Sequence, residues 1–221
     1  MKQILITMVI ILLIAACLTA CKKQSQEQSE PISYMQQSLY TASSANYRVT
    51  VTSGRSESLF VADGKVTDVQ DYATVTVVPL HVDLYNGDYT YTLTGSTGTA
   101  QGTMVKDNFG ASFEAQIDDW DNVGIPTTLT ITSGDKSEEF ALIDRMDGCI
   151  TGLNAHEIAY KTVQDKLDAD DKDREIYVRF INDSSTPDSP YYWYVAYIHA
   201  PTDYYSVLID PTSGTVLNVT P

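Results

Sequence analysis

Tyr89-Thr90-Tyr91-Thr92-Leu93-Thr94-Gly95 decides the fold class. Apolar residues alternate with threonine, so one side of the segment seeks a core and the other meets water. That is the pattern of a strand in an antiparallel sheet with one wet face. It recurs outward in both directions. Val49 and Val51 alternate with Thr50 and Thr52, and Val75 and Val77 with Thr74 and Thr76. Leu129 and Ile131 alternate with Thr128, Thr130 and Thr132. Turn residues separate these runs: Asp63-Gly64, Asn86-Gly87-Asp88, Gly95 to Gly98 and Ser133-Gly134-Asp135. From Tyr47 to Arg145 the spacing predicts about eight to ten strands and no long helix. Two packed sheets are the economical way to bury so many one-sided strands.

At about Asp147-Gly148 the period changes. Asn154 is placed to cap a helix running to about Leu167 or Asp168, with Ala155, Ile158, Ala159, Thr162, Val163 and Lys166/Leu167 as its buried stripe. Glu157 would complete a capping box. Strands are predicted over Glu175–Asn182, Tyr191–His199, Tyr204–Asp210 and Thr215–Val219, the last pair joined by Asp210-Pro211-Thr212-Ser213-Gly214. Ala155-x-x-Ile158-Ala159 and the run Tyr205 to Leu217 resemble the PepSY family, whose closing hairpin has a hydrophobic strand, Asp, a Thr-Gly-type turn and another strand. The Asp183–Pro190 loop and the tyrosines after it depart from that family. The resemblance implies a helix-plus-antiparallel-sheet module in a bacterial envelope protein, and a peptidase as a partner. The expected fold class is thus β-rich α+β: an antiparallel β-sandwich-like domain over 46–147, then a PepSY-like α+β domain over 148–221.

Met1-Lys2 followed by an apolar run from Ile4 to Leu18 has the form of a secretory signal; its length of about 15 residues falls short of the roughly 20 that span a bilayer. Leu18-Thr19-Ala20-Cys21 closes it and resembles the lipobox of bacterial lipoproteins. The resemblance implies a signal peptide over 1–20, cleavage between Ala20 and Cys21, and diacylglycerol on the Cys21 thiol, with a further acyl chain such as palmitate on its amino group. Two or three chains make a stable membrane anchor, at about 0.8 kcal/mol per buried CH₂. An ordinary secretory signal cut near Ala20, an uncleaved anchor, and cleavage before Cys17 are the alternatives. Lys22 to Glu30 has no apolar residue, so 21–45 is expected to be a tether of roughly 25–30 Å. Within it Ile32, Met35 and Leu39 recur at near-helical spacing, which predicts a short helix. The expected location is the cell membrane, lipid-anchored and facing outside the cytoplasm. Whether the envelope has an outer membrane stays open, as does the oligomeric state.

The formal charge of −15 argues against nucleic acid, whose binding rests on Lys and Arg at phosphates. It also argues against lying flat on anionic lipid. Once Cys21 is lipidated and the signal removed, Cys149 has no disulfide partner, and it reads as a small buried hydrophobe. No catalytic constellation, cofactor motif or metal site emerges. His81, His156 and His199 lack ligand spacing. The run from Asp118 to Gly124 starts like a calcium loop but has Val123 and Thr130 where oxygen ligands belong, and Asp168–Asp173 lacks the glycine. The candidate binding face is aromatic: Tyr191, Trp193, Tyr197 and Tyr204. Aromatics with polar tips suit contact surfaces, and they suit cores equally well. The function expected is non-enzymatic: binding or modulating an envelope protein, a peptidase or the cell wall. A structural subunit of an envelope assembly and an envelope hydrolase are the alternatives.

Overall fold

The computed structural model describes residues 32–58, 65–107, 111–167, 174–183 and 189–221. Ala20, Cys21 and the tether up to residue 31 lie outside the described residues, as does the acidic run 168–173.

The alternating runs form strands. β2 (Tyr47–Glu57) and β3 (Val69–Pro79) pair antiparallel, with Val49 opposite Val77 and Val51 opposite Val75. β7 (Phe113–Gln116) extends them, and the two-residue β6 (Val105–Lys106) closes that edge. β4 (Tyr89–Gly95), β5 (Thr99–Thr103), β8 (Pro126–Ser133) and β9 (Lys136–Ala141) form a separate sheet in the order β5-β4-β8-β9. Val49, Val51, Val75 and Val77 share a core with Tyr89, Tyr91, Leu93, Leu129 and Ile131 of that sheet. Each of these valines is fully buried, whereas the threonines between them are half-buried.

The short helix expected around Ile32 is a twelve-residue strand, β1 (Ile32–Ser43). Its register against β2 shifts between Gln36 and Ser38. Such a shift changes which side of the neighbouring strand a given residue meets. Ile32, Met35 and Leu39 accordingly pack into one core, and Tyr40 and Ala42 into the other. The near-helical spacing in the sequence is the trace of that bulge.

β1 also overturns the expected fold class. One edge of it pairs with β2. The other pairs in parallel with β11 (Glu175–Asn182), through Ile32, Tyr34 and Met35, and farther along antiparallel with β10 (Ile143–Asp144). β12 (Tyr191–Ala200), β13 (Asp203–Ile209) and β14 (Val216–Thr220) follow antiparallel. The result is a ten-stranded sheet in the order β14-β13-β12-β11-β1-β2-β3-β7-β6, with β10 beside it on β1, and a four-stranded second sheet. The chain is mostly β, without the helix-plus-sheet PepSY-like arrangement that was expected after an N-terminal β-sandwich-like domain. The C-terminal strands arise close to where the sequence places them. They continue one large sheet because β1 offers its free edge to β11.

Two α-helices occur among the described residues, besides a 3₁₀ turn at Val82–Leu84: α1 (Trp120–Val123) and α2 (Gly152–Val163). The cap of α2 is Thr151 rather than Asn154: the Asn154 amide donates to Thr151 Oγ1 at 3.2 Å. Ala155, Ala159 and Val163 are fully buried against Ile176, Val178, Trp193, Val195, Val207 and Ile209. Small residues every four positions let the helix lie close to the strands. The turn before β14 is held by Asp210, whose Oδ1 accepts from the amides of Thr212 and Ser213 and from the Ser213 hydroxyl. Those bonds hold its carboxyl below the usual range, and Gly214 takes the left-handed φ of 71°.

Candidate functional site

Strand alternation splits the aromatic cluster of β12 and β13 between two sides. Trp193 and Tyr197 point at α2 and are 0% and 2% exposed. Trp193 Nε1 donates to the Ile150 carbonyl at 3.0 Å. A Cβ on Gly152 would meet the Trp193 ring at 3.3 Å, so glycine lets the helix start against the indole. The Tyr197 hydroxyl lies 3.1 Å from His156 Nδ1 and 3.3 Å from the His156 carbonyl. Burial lowers the pKa of His156, with Glu157 opposing. Tyr191 is half-buried, stacked on Phe180 with centroids 5.1 Å apart, and Arg145 lies over its ring. Only Tyr204 of the four expected residues is exposed. The binding face drawn through Tyr191, Trp193, Tyr197 and Tyr204 is therefore corrected. Trp193 and Tyr197 are core because α2 needs a bulky apolar bed, while Tyr204 pairs with Ile198 and belongs to the other side of the sheet.

That other side carries a set of tyrosines the sequence does not bring together. Tyr192, Tyr194 and Ile198 of β12 are half-buried there. Tyr194 pairs with Arg179, and Ala196 with Tyr177, on β11. Tyr177 pairs with Tyr34 on β1, and Tyr72 on β3 lies opposite Gly54 on β2. The rings meet across these strands. Tyr34 stacks on Tyr177 with centroids 4.5 Å apart at 17°, and on Tyr72 at 5.7 Å and 27°. The hydroxyls of Tyr34 and Tyr72 are 2.6 Å apart. Gly54 makes this row possible in its place on β2: a Cβ there would lie 2.2 Å from the Met35 carbonyl oxygen.

The surroundings of Tyr72 and Tyr177 favour the neutral phenol. Burial pushes the Tyr72 hydroxyl far above its ordinary value, the hydrogen bond to Tyr34 adds to it, and Arg179 works against it. Tyr177 is raised by burial and by Tyr34, again opposed by Arg179. The row thus presents hydroxyls able both to donate and to accept. Tyr34 is stacked on by both Tyr72 and Tyr177, so its own ring presents its edge and hydroxyl.

The remaining candidates contribute no site. Cys149 is half-buried; burial raises its thiol pKa, and Asp144, Asp147 and Asp210 raise it further, opposite to what a reactive thiolate needs. The Asp118–Gly124 run folds into α1, with Val123 fully buried. No group of three His, Cys, Asp or Glu able to hold a metal ion occurs among the described residues. His81 Nε2 lies 3.1 Å from the Ala45 carbonyl, His156 is beside Tyr197, and His199 is exposed, each on a different element. Among the described residues no helix is long and apolar enough to cross a membrane.

Comparison with known proteins returns nothing similar: no family model, no curated protein and no solved structure matches the chain.

Proposed function

We propose that this chain is a membrane-anchored extracytoplasmic lipoprotein whose folded body is a non-catalytic contact module. The lipobox-like Leu18-Thr19-Ala20-Cys21 supports the anchor, and the half-buried tyrosine row supports the contact. The observation that carries the reading is the tyrosine row itself: Tyr34, Tyr72 and Tyr177 stack across strands, half-buried, on the side away from Trp193 and Tyr197. Tyrosine with its polar tip is enriched at protein contacts because it buries a large area and keeps a hydrogen-bonding handle. A peptidase as the partner came with the PepSY-like arrangement, and nothing in the sheet supports carrying it over.

Two measurements test the reading. Metabolic labelling with an alkyne fatty acid should mark the protein, and Cys21→Ala should abolish both label and membrane retention. Tyr194→Asp should weaken partner recovery after cross-linking in intact cells while leaving the fold unchanged by circular dichroism. Undiminished retention in the first case, or undiminished recovery in the second, would refute the anchor or the contact face respectively.

A further inference from the structure

Tyrosines meet at several places in this fold, and the meetings differ. Tyr47 and Tyr89 stand edge-on at 84°, and both are buried. Tyr160 and Tyr197 are tilted at 53°, with Tyr197 2% exposed. Tyr34 and Tyr72 lie nearly parallel at 27°, and their separation narrows from 5.7 Å at the ring centres to 2.6 Å at the hydroxyl oxygens. The carbons ortho to each hydroxyl fall between those two levels, near the roughly 3.5–4.0 Å at which carbons touch. The intervening β2 carries Ser56 opposite Tyr34 and Gly54 opposite Tyr72, so no bulky side chain parts the rings. Both tyrosines are half-buried, and neither belongs to a core cluster.

We infer that Tyr34 and Tyr72 form a site of oxidative modification, where a carbon–carbon bond between the two rings ties β1 to β3 across β2. The co-reactant is hydrogen peroxide acting through a haem peroxidase. Each phenol gives up one electron and its hydroxyl proton, which leaves a radical whose spin is shared with the ortho carbons. One ortho carbon of each ring then joins the other through the facing π lobes, which a stacked pair presents and an edge-on pair does not. Each ring moves the hydrogen from its joined carbon to its oxygen, so both are phenols again. The pair has lost two hydrogens in all, and the peroxide has become two waters. Neighbours already held face to face need no diffusional encounter, which favours this bond over coupling between chains. Tyr177, stacked on Tyr34 with centroids 4.5 Å apart, helps to hold that ring in its pose. Cys149 is a free thiol, so among the described residues no disulfide braces the sheet. Tyr34 and Tyr72 are 38 residues apart, and joining them removes the freedom of that loop from the unfolded chain. The chemistry requires neither a bound partner nor a free sheet face.

The test treats the full-length chain, in mild detergent, with a haem peroxidase and a limiting amount of hydrogen peroxide. The product expected is a monomer with the blue fluorescence of dityrosine. On proteolysis it should yield two peptides joined through Tyr34 and Tyr72 and lighter by two hydrogens. Tyr34→Phe and Tyr72→Phe should each cut the intrachain fluorescence about tenfold or more, with near-ultraviolet circular dichroism showing that the fold survives. Tyr204→Phe, which alters an exposed ring of β13, should leave it unchanged. The joined chain should gain about 5 °C or more in Tm over its untreated form, a gain absent from Tyr72→Phe treated alike. Joined peptides that map to Tyr34 with Tyr177, or cross-links formed chiefly between chains through Tyr160 or Tyr204, would overturn the assignment. So would fluorescence that survives both Tyr34→Phe and Tyr72→Phe, or an oxidised wild-type chain that yields no joined peptide. A joined chain with an unchanged Tm would overturn the brace.

Discussion

Replacing Gly54 by alanine should damage the molecule far more than one methyl group suggests. Gly54 sits on β2 opposite Gln36 of β1 and Tyr72 of β3. The new Cβ would stand 2.2 Å from the Met35 carbonyl oxygen and 3.0 Å from the Gln36 Cα. Both are main-chain atoms of the adjacent strand, so no side-chain rotation relieves the clash. β1 must draw back by about an ångström to reach ordinary contact. Overpacking of this kind costs about 1–3 kcal/mol. Each β1–β2 hydrogen bond stretched in consequence costs about 0.5–1.5 kcal/mol more. With one or two bonds affected, Gly54→Ala loses about 3 kcal/mol, or roughly 6–12 °C in Tm for a body of this size. The control is Gly148→Ala. Gly148 has φ 71° and nothing within 4 Å of the added atom, so only its left-handed backbone is strained. That strain costs about 1–2 kcal/mol. Urea unfolding followed by near-ultraviolet circular dichroism and tryptophan fluorescence measures both. If Gly54→Ala loses no more than Gly148→Ala, the close approach of β1 and β2, and with it the tyrosine row, is wrong.

Trp193→Phe should cost about 2–3 kcal/mol, combining lost ring volume with the orphaned Ile150 carbonyl; full stability in a thermal melt would contradict the buried indole. Tyr34→Phe keeps the stack and removes the 2.6 Å contact with Tyr72, so it should cost about 1 kcal/mol. It should also let Tyr72 ionise at lower pH, read by absorbance near 295 nm. Tyr72, Tyr89 and Tyr177 all hold their protons more tightly when folded, chiefly through burial. Their contribution is complete below about pH 10 and is lost as pH climbs through the raised folded values, so stability should fall steadily in alkali. His156 acts in the other direction. Its folded pKa lies below the unfolded value of about 6.5, so its contribution is present above that pH and is lost as pH falls through the folded value. His156→Gln should flatten the fall in stability between pH 7 and 5, and an unflattened curve would reject the buried-imidazole account.

Most strands were legible in the sequence because alternation is local. Val49-Thr50-Val51-Thr52 states its own inside and outside, and Gly95 to Gly98 its own turn. The stripe of α2 was legible in part: Ala155, Ala159 and Val163 are buried, whereas Thr162 and Lys166, expected with them, are exposed. The cap was misplaced from Thr151 to Asn154 because both residues suit a cap and only the backbone chooses between them. β1 was not legible. Its bulge disguises a strand with a helix-like spacing, and its partners β2 and β11 are separated by more than a hundred residues of chain.

The same distinction governs the site. Composition by itself placed an aromatic cluster on β12 and β13 and an acid-rich surface around it, since both are counts along the chain. Which face of β12 would be core was decided only by where α2 lies, because Tyr191–Trp193 and Tyr192–Tyr194 alternate with equal right to either side. Tyr34, Tyr72 and Tyr177 belong to three strands and carry no mark of one another in the sequence. They become a row because β1 lies between β2 and β11, and because Gly54 lets the β1 main chain lie close against β2. Local periodicity writes down strands and turns; the order in which strands pair is set by non-local hydrogen bonds and packing, and that order made the tyrosine row.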